Sequence, residues 1–373
     1  MISRFIPRKF VGLIALLALA LVAAGCGADA TATPTAAPAK APAAAQPTAT
    51  PTGPTDDPYI NDLYEKAKVE GQLNLMMDND SFDRIGNGPF AAMFPGIKVT
   101  TEVASTPERP AKVIAQYQAN RVTTDMVNSS AGVAAGLIER GYLQGADKTN
   151  WPRLGFDGQY LQGDGHSPIY YDFVYAHTYN TNDFSASDFP SDLSGFLDPK
   201  WKGKLAGDAF LFFFGMGFVG LSEGEEGAKT LAKQLLDEAE LTVSSSYRDL
   251  VNTREKPVAL FSSVDRTINE QRKGNDVGYF FTGTHGVARI SAPILNDAPH
   301  PNAARLFMWW LGTPDGQQAL FDEQASIRAG LELSNPIVDA IKASGTNVVY
   351  ETSENFRERS RIAGAVRSFA LGQ

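Results

Sequence analysis

One cysteine, Cys26, in 373 residues leaves no partner for an internal disulfide, so any folded body must hold together by packing alone. Histidine is almost as scarce: His166, His177, His285 and His300 are scattered, with no pair at metal-binding helical spacing. The chain lacks a G-x-S-x-G elbow, a P-loop and an H-E-x-x-H motif, and the glycines of Gly215–Gly220 do not follow the order of a nucleotide loop. Basic excess is missing as well. A net charge of −9 argues against a nucleic-acid binder, which needs an electropositive face for phosphates. What is present is an ordinary globular mixture, 43% hydrophobic and 20% charged, too mixed for a disordered chain or a multi-span membrane protein. The length predicts roughly two or three structural units.

The one long apolar run lies at the start. Arg4, Arg8 and Lys9 precede the segment Val11–Gly25, the charged and apolar regions of an export signal too short for a spanning helix. The run ends in LVAAGC, which resembles a bacterial lipobox, and that likeness implies cleavage and lipid attachment at Cys26. Removal of residues 1–25 takes the formal charge from −9 to −12. Residues 27–56 are nearly all Ala, Thr and Pro, with almost nothing to bury, and read as a disordered tether. At roughly 3.1 Å per residue such a segment reaches up to about 90 Å.

The folded body starts where Asp57-Pro58 reads as an N-cap and first helical residue. Ile60, Leu63, Tyr64 and Ala67 share one helical face, and Gly71 stops the helix. Strands at Leu73–Met76, Ile97–Thr101 and Asp125–Val127 alternate with helices over Phe82–Phe94 and from Thr106-Pro107 onward. This is the pattern of parallel β-α-β units. Ser167–Asn180 then breaks the alternation with a long, aromatic, β-prone run that reads as a crossing between two lobes. A second α/β series follows, through the strand Val258–Phe261 and the helix Asp265–Arg272. Val277–Phe281 and the stretch through Ile290 read as the return.

The segments LYEKAKVEGQLNL, FPGIKVTTE, DMVNSSAGVAAGLIERGYL, FLDPKWKGKL and HPNAARLFMWWLGTPDGQQALF, in that order, resemble the extracellular solute-binding proteins of ABC importers, in particular the ferric-iron-binding-like group. The resemblance spans about Asp57 to Phe321. It implies a type II periplasmic-binding fold, two doubly wound α/β lobes joined by crossing strands, with a solute held between them and no catalysis or cofactor. The expected bounds are 1–26 for the signal with its lipobox, 27–56 for the tether and 57–373 for the bilobal body. Lobe 1 covers about 57–168 and 283–345, lobe 2 about 169–282, and a C-terminal helix at 353–373 packs on the body. The implied partners are a small molecule or ion, the transmembrane subunits of an ABC permease and, through the lipid, the membrane; a monomer is the family expectation. The implied location is the outer face of the cytoplasmic membrane, periplasmic or at the cell surface. A ligand-sensing lipoprotein feeding a membrane receptor would use the same fold, and a lipid-anchored hydrolase is the enzymatic alternative.

In open α/β sheets small molecules bind beyond the carboxyl ends of strands, near helix N-termini. The loops that fit are Asp78, Asn79, Asp80 and Ser81; Ser129 and Ser130; Asp208 and Phe210; Ser245, Ser246 and Tyr247; and Ser262 with Ser263. Tyr170 and Tyr171 sit on the crossing run with alternating directions. For any one of these residues helix capping is the ordinary role, and their recurrence at equivalent turns of both lobes is what points to a ligand. Ferric-iron members of the group carry adjacent tyrosines where this chain has Val264 and Asp265, and Asp208 replaces the serine of their anion-holding turn. Iron with a companion anion is therefore one ligand among several. Asp80 and Asp208 suit a cationic organic solute over aromatic surfaces, and the seryl loops with Arg248 suit a carboxylate or phosphonate.

Overall fold

The computed structural model describes residues 54–328 and 336–373. The export signal, Cys26 and residues 27–53 of the tether lie outside the described residues, as do residues 329–335 of the first expected lobe. The body opens with the helix Pro58–Glu70. The Asp57 side chain accepts the amide of Tyr59 at 2.9 Å, Gly71 ends the helix in the left-handed region at φ 68°, and Ile60, Leu63, Tyr64 and Ala67 are buried.

Three strands follow: β1 (Gln72–Met77), β2 (Lys98–Val103) and β3 (Met126–Val127). They form a parallel sheet in the order β2-β1-β3. The helix expected over Phe82–Phe94 runs from Ser81 to Met93 but widens into a π turn at Gly86–Phe90. Pro89 sits inside that turn, where it can neither donate an i−4 bond nor avoid the carbonyl one turn back.

The remaining strands are β4 (Leu161–Gln162), β5 (Ser167–Asn180), β6 (Leu205–Gly207), β7 (Thr242–Val243), β8 (Val258–Ser263), β9 (Val277–Phe280), β10 (Thr284–Ser291) and β11 (Asn347–Tyr350). They make a mixed sheet in the order β11-β10-β5-β8-β6-β7, with β4 and β9 also paired to β5. Strand β5 is the 14-residue aromatic run, buried on both faces along nearly its whole length, which is why it reads as continuously apolar. Its first half pairs antiparallel with β10, Tyr171 opposite Ile290 and Phe173 opposite Ala288. Its second half pairs with β8 and β9. Nothing in the sequence pattern predicts β11, a short edge strand parallel to β10.

Two large cores flank this arrangement, with smaller ones beside them. The first gathers Leu73, Phe82, Phe90, Trp151, Phe307 and Trp310 with Tyr170 and Tyr171; the second gathers Leu205, Phe212, Phe218 and Phe261 with Tyr175 and Tyr179. Strand β5 thus leaves one core and enters the other between Tyr171 and Tyr175. Strand β10 returns, Ala288 packing on the second core and Ile290 on the first. The HPNAA segment that carried much of the resemblance is structural: the Glu70 carboxylate accepts the amides of Asn302 and Ala303 at 3.0 and 2.8 Å, capping the helix Pro301–Leu311.

The C-terminal helix, Phe356–Leu371, lies along the helix Leu211–Glu223 and buries Ile362, Val366 and Ala370 in the second core. The glycines of GMGFVG permit this approach. A Cβ on Gly217 would stand 2.8 Å from the Arg359 carbonyl oxygen, and one on Gly220 would stand 2.5 Å from Ile362.

Candidate functional site

Where β5 and β10 cross, two adjoining cavities of about 430 and 380 Å³ share Asp78, Tyr171, Phe173 and Arg266 as walls and so form one cleft. Strand alternation sets its floor. Tyr171, Phe173 and Tyr175 line it together with Ala288 and Ile290 of β10, whereas Tyr170, Val174 and Ala176 point away into packed cores. One wall comes from the turns after β1 and β3 and from Arg109 at the start of the helix Glu108–Gln118. The other comes from Phe210 and Phe214 at the start of the helix Leu211–Glu223, from Arg266 on the helix Val264–Arg272, and from Phe356 and Arg359 of the C-terminal helix.

The residues expected from sequence divide into those at the cleft and those elsewhere. Asp78, Asn79, Asp80, Ser81, Ser130, Tyr171 and Phe210 line it. Several of these already have partners. The Asn79 side chain accepts the Ser81 amide at 3.0 Å and the Ser81 hydroxyl, which in turn accepts Gln324 Nε2 at 2.7 Å. Asp80 pairs with Arg84 at 3.4 Å.

The others lie off the cleft. Ser129 is fully buried, its amide bonded to the Ser291 carbonyl at 2.8 Å. Tyr170 packs its ring edge-on to Phe82, with centroids 5.8 Å apart. Asp208 accepts the amides of Phe210 and Leu211, both at 2.8 Å, and pairs with Arg266 at 3.2 Å, so its charge is spent on a helix start and a guanidinium. Ser245 and Ser246 are exposed on the turn before Tyr247. Tyr247 and Ser262 bond each other at 2.9 Å beside a separate small void of about 10 Å³. Ser263 is buried in the β8 ladder opposite Tyr175.

Sequence reasoning missed the arginines. Arg109 is 3% exposed, and it donates from Nη1 to the Ala104 carbonyl at 2.7 Å and from Nη2 to the Thr106 hydroxyl at 3.1 Å. Arg359 is 6% exposed, pairs with the buried Glu351 carboxylate and lies over the Phe214 ring at 4.4 Å. No local signal marks either one, since each sits among other polar residues of an amphipathic helix. Phe173 and Tyr175 were within reach, because they follow Tyr171 at the strand period.

Burial dominates the electrostatics. It pushes the phenols of Tyr171 and Tyr175 up, with Asp78 and Asp265 adding to the rise at Tyr171. It also pushes the Asp265 carboxyl up, against the opposing pull of Ser263 and Arg266. With Val264 packed in a core and Asp265 at the cleft, the adjacent tyrosines of a paired-phenolate iron site have no counterpart at these positions. Among the described residues no group of three or more His, Cys, Asp or Glu is placed to hold a metal ion.

No curated protein sequence matches the chain. Solved structures do. Iron-bound HitA from Pseudomonas aeruginosa superposes with a TM-score of 0.65 at 16% identity, covering 80% of this chain and 99% of that one. The substrate-binding protein of an ABC transporter from Agrobacterium tumefaciens gives 0.62 at 17% identity, covering 80% and 95%. AgtB from A. tumefaciens R10, in complex with agropinic acid, gives 0.56 at 17% identity, covering 81% and 99%. At these identities the likeness is one of fold, and it bears out the expected α/β architecture with crossing strands. The sequence pattern of the bacterial extracellular solute-binding proteins matches residues 88–332, and the chain belongs to that family.

Proposed function

We propose that this chain is the substrate-binding component of an ABC importer, anchored through a lipid on Cys26, which captures a small solute in the cleft and delivers it to the transmembrane subunits of a permease. The observation that carries this reading is the placement of the cleft. It is walled on one side by the turns after β1 and β3 with Arg109 and on the other by helix residues packed on the second core, and floored by β5 and β10, which run between the two cores, so a solute there touches both halves at once. The two halves act as lobes. The β5–β10 pairing shifts register between Ile290 and Ser291, and the β5–β8 pairing shifts between Ala176 and Thr178. Such irregularities bend strands locally and suit a hinge. A solute that contacts both lobes only when they close biases the equilibrium toward the closed form, and the permease reads that form.

The Ala/Thr/Pro tether keeps a monomeric, acidic body outside the cytoplasmic membrane and raises its effective concentration at the permease. The same acidity makes docking on a basic permease surface weaken with salt. Native mass spectrometry of the purified full chain tests the reading: a small solute co-purifies and is lost in Phe173→Ala, and small-angle scattering shows compaction when that solute is returned. A solute retained unchanged by Phe173→Ala, or scattering indifferent to its addition, would contradict it.

A further inference from the structure

Two buried guanidinium groups line the cleft with hydrogen-bonding capacity left over. Arg109 is bonded only to a carbonyl and a hydroxyl, its Nε–H has no acceptor, and no carboxylate pairs with it among the described residues. A buried cation without a counter-ion is costly, and the cost falls when an anion arrives to pair with it. Arg359 meets Glu351 through Nη2 alone, which leaves Nε and Nη1 without acceptors.

Beside Arg109 the helix Ala131–Ile138 begins. Ser130 at its N-cap makes no side-chain bond to the first-turn amides, and Asn128, Ser130, Gly132 and Val133 line the same cavity as Arg109. First-turn amides have no acceptor within their own helix and favour negative charge. A helix start and an unpaired buried guanidinium thus converge on one corner. Aromatic rings face one another across the cavity, Tyr171, Phe173 and Tyr175 on the floor and Phe210 and Phe214 opposite, alongside Arg266 and Arg359.

The carboxylates of the cleft are otherwise engaged. Asp80 and Glu323 pair with Arg84, Glu351 pairs with Arg359, and the Asp265 carboxyl beside Arg266 is pushed up by burial. Asp78 is the exception; it is exposed at the rim and accepts only Asn79 Nδ2, at 3.1 Å. That free negative charge opposes a second anionic group on the solute.

We infer that the solute is an organic monocarboxylate whose head pairs with Arg109 at the start of the helix Ala131–Ile138 and whose planar, apolar body lies on Tyr171, Phe173 and Phe214. The inference rests on the cleft being the solute site, and it adds the chemistry of what enters. A planar guanidinium fork matches a carboxylate geometrically as well as electrically, and the combined volume holds an acid of one ring with a short chain.

Calorimetric titration of the purified full chain tests it, with benzoate, 3-phenylpropionate, their amides, benzylamine and terephthalate as probes. The expected result is that an acid binds roughly 30-fold or more tighter than its amide. Terephthalate should bind more weakly than benzoate. Arg109→Gln should erase the acid–amide difference, and Arg109→Lys should restore part of it. The wild-type contrast stands even if an Arg109 variant fails to fold. The inference is overturned if amides or benzylamine bind as well as the acids, if no acid binds at millimolar concentration, or if a folded Arg109→Gln keeps the contrast. The cleft reading fails in a different way, by solutes of every class remaining bound in Phe173→Ala.

Discussion

The Nδ1 of His177 accepts the backbone N–H of Phe261 at 3.1 Å, at the point where β5 and β8 lose register between Ala176 and Thr178. The side chain takes the place of a missing ladder carbonyl. Phe261 has φ 53°, an unusual conformation for a bulky residue, and its ring lies so close to Gly215 that a Cβ there would stand 2.1 Å away. Because Nδ1 accepts, the neutral ring carries its proton on Nε2.

That arrangement predicts acid sensitivity. Burial, reinforced by His285, pulls His177 from its ordinary 6.5 down to about 3, and burial pulls His285 down to about 4. Above pH 6.5 neither the folded nor the unfolded chain protonates these rings. Below it the unfolded chain takes up protons that the native state refuses, so stability is lost as pH falls from about 6.5 toward 4 and below. The loss at pH 5 should reach about 2 kcal/mol per histidine. Urea unfolding at pH 7.5 and pH 5.0 measures it. His177→Gln should be less stable at pH 7.5 but lose less on acidification, and an unchanged pH dependence would count against the assignment.

Gly217→Ala should destabilise the protein by about 1–3 kcal/mol, because its methyl would meet the Arg359 carbonyl and force two packed helices apart. Chemical denaturation gives the magnitude. Weaker solute binding in the same variant would show that helix spacing also places Arg359.

The Arg359–Glu351 pair is buried on both sides, at 7% and 1% side-chain exposure. Glu351→Ala leaves a guanidinium stranded over Phe214 and Phe218 and should cost about 3–5 kcal/mol. The double variant Arg359→Met/Glu351→Leu should be clearly more stable than either single change. A double-mutant cycle by urea unfolding decides it, and strict additivity would mean that the pair is not coupled.

Asp208→Ala removes both the cap on the Phe210 and Leu211 amides and the partner of Arg266, and should cost about 1–2 kcal/mol. Asp208→Asn keeps the cap. It should retain most of the stability, so comparable melting temperatures for the two variants would assign the effect to the ion pair instead.

Much of the architecture is legible in the sequence, and for local reasons. Asp57-Pro58 and Gly71 delimit the first helix through backbone chemistry that acts within a few residues, and the unbroken aromatic run Ser167–Asn180 announces a strand buried on both faces. Where local signals conflict, the pattern misleads by a turn, as at Gly86–Phe90, where Pro89 turns an expected α-helix into a wider one. Strand β11 was not legible at all. Four residues, Asn347–Tyr350, carry too little periodicity, and their pairing with Thr284–Val287 joins segments more than sixty positions apart.

The candidate site divides along the same line. Turns after strands are local features, so the loops holding Asp78 and Ser130 could be named from residue order, while which of the named residues are spent on capping or bridging, as Asp208 and Ser129 are, depends on partners that residue order does not show. The meeting of Arg109, Arg266 and Arg359 around Tyr171 is of another kind. It depends on which helix faces pack inward and on glycines that let the C-terminal helix approach, relationships between residues up to 250 positions apart. Residue chemistry settled the class of fold; only the packing of distant elements brought three cations to an aromatic floor, because burial and charge pairing are properties of neighbours in space.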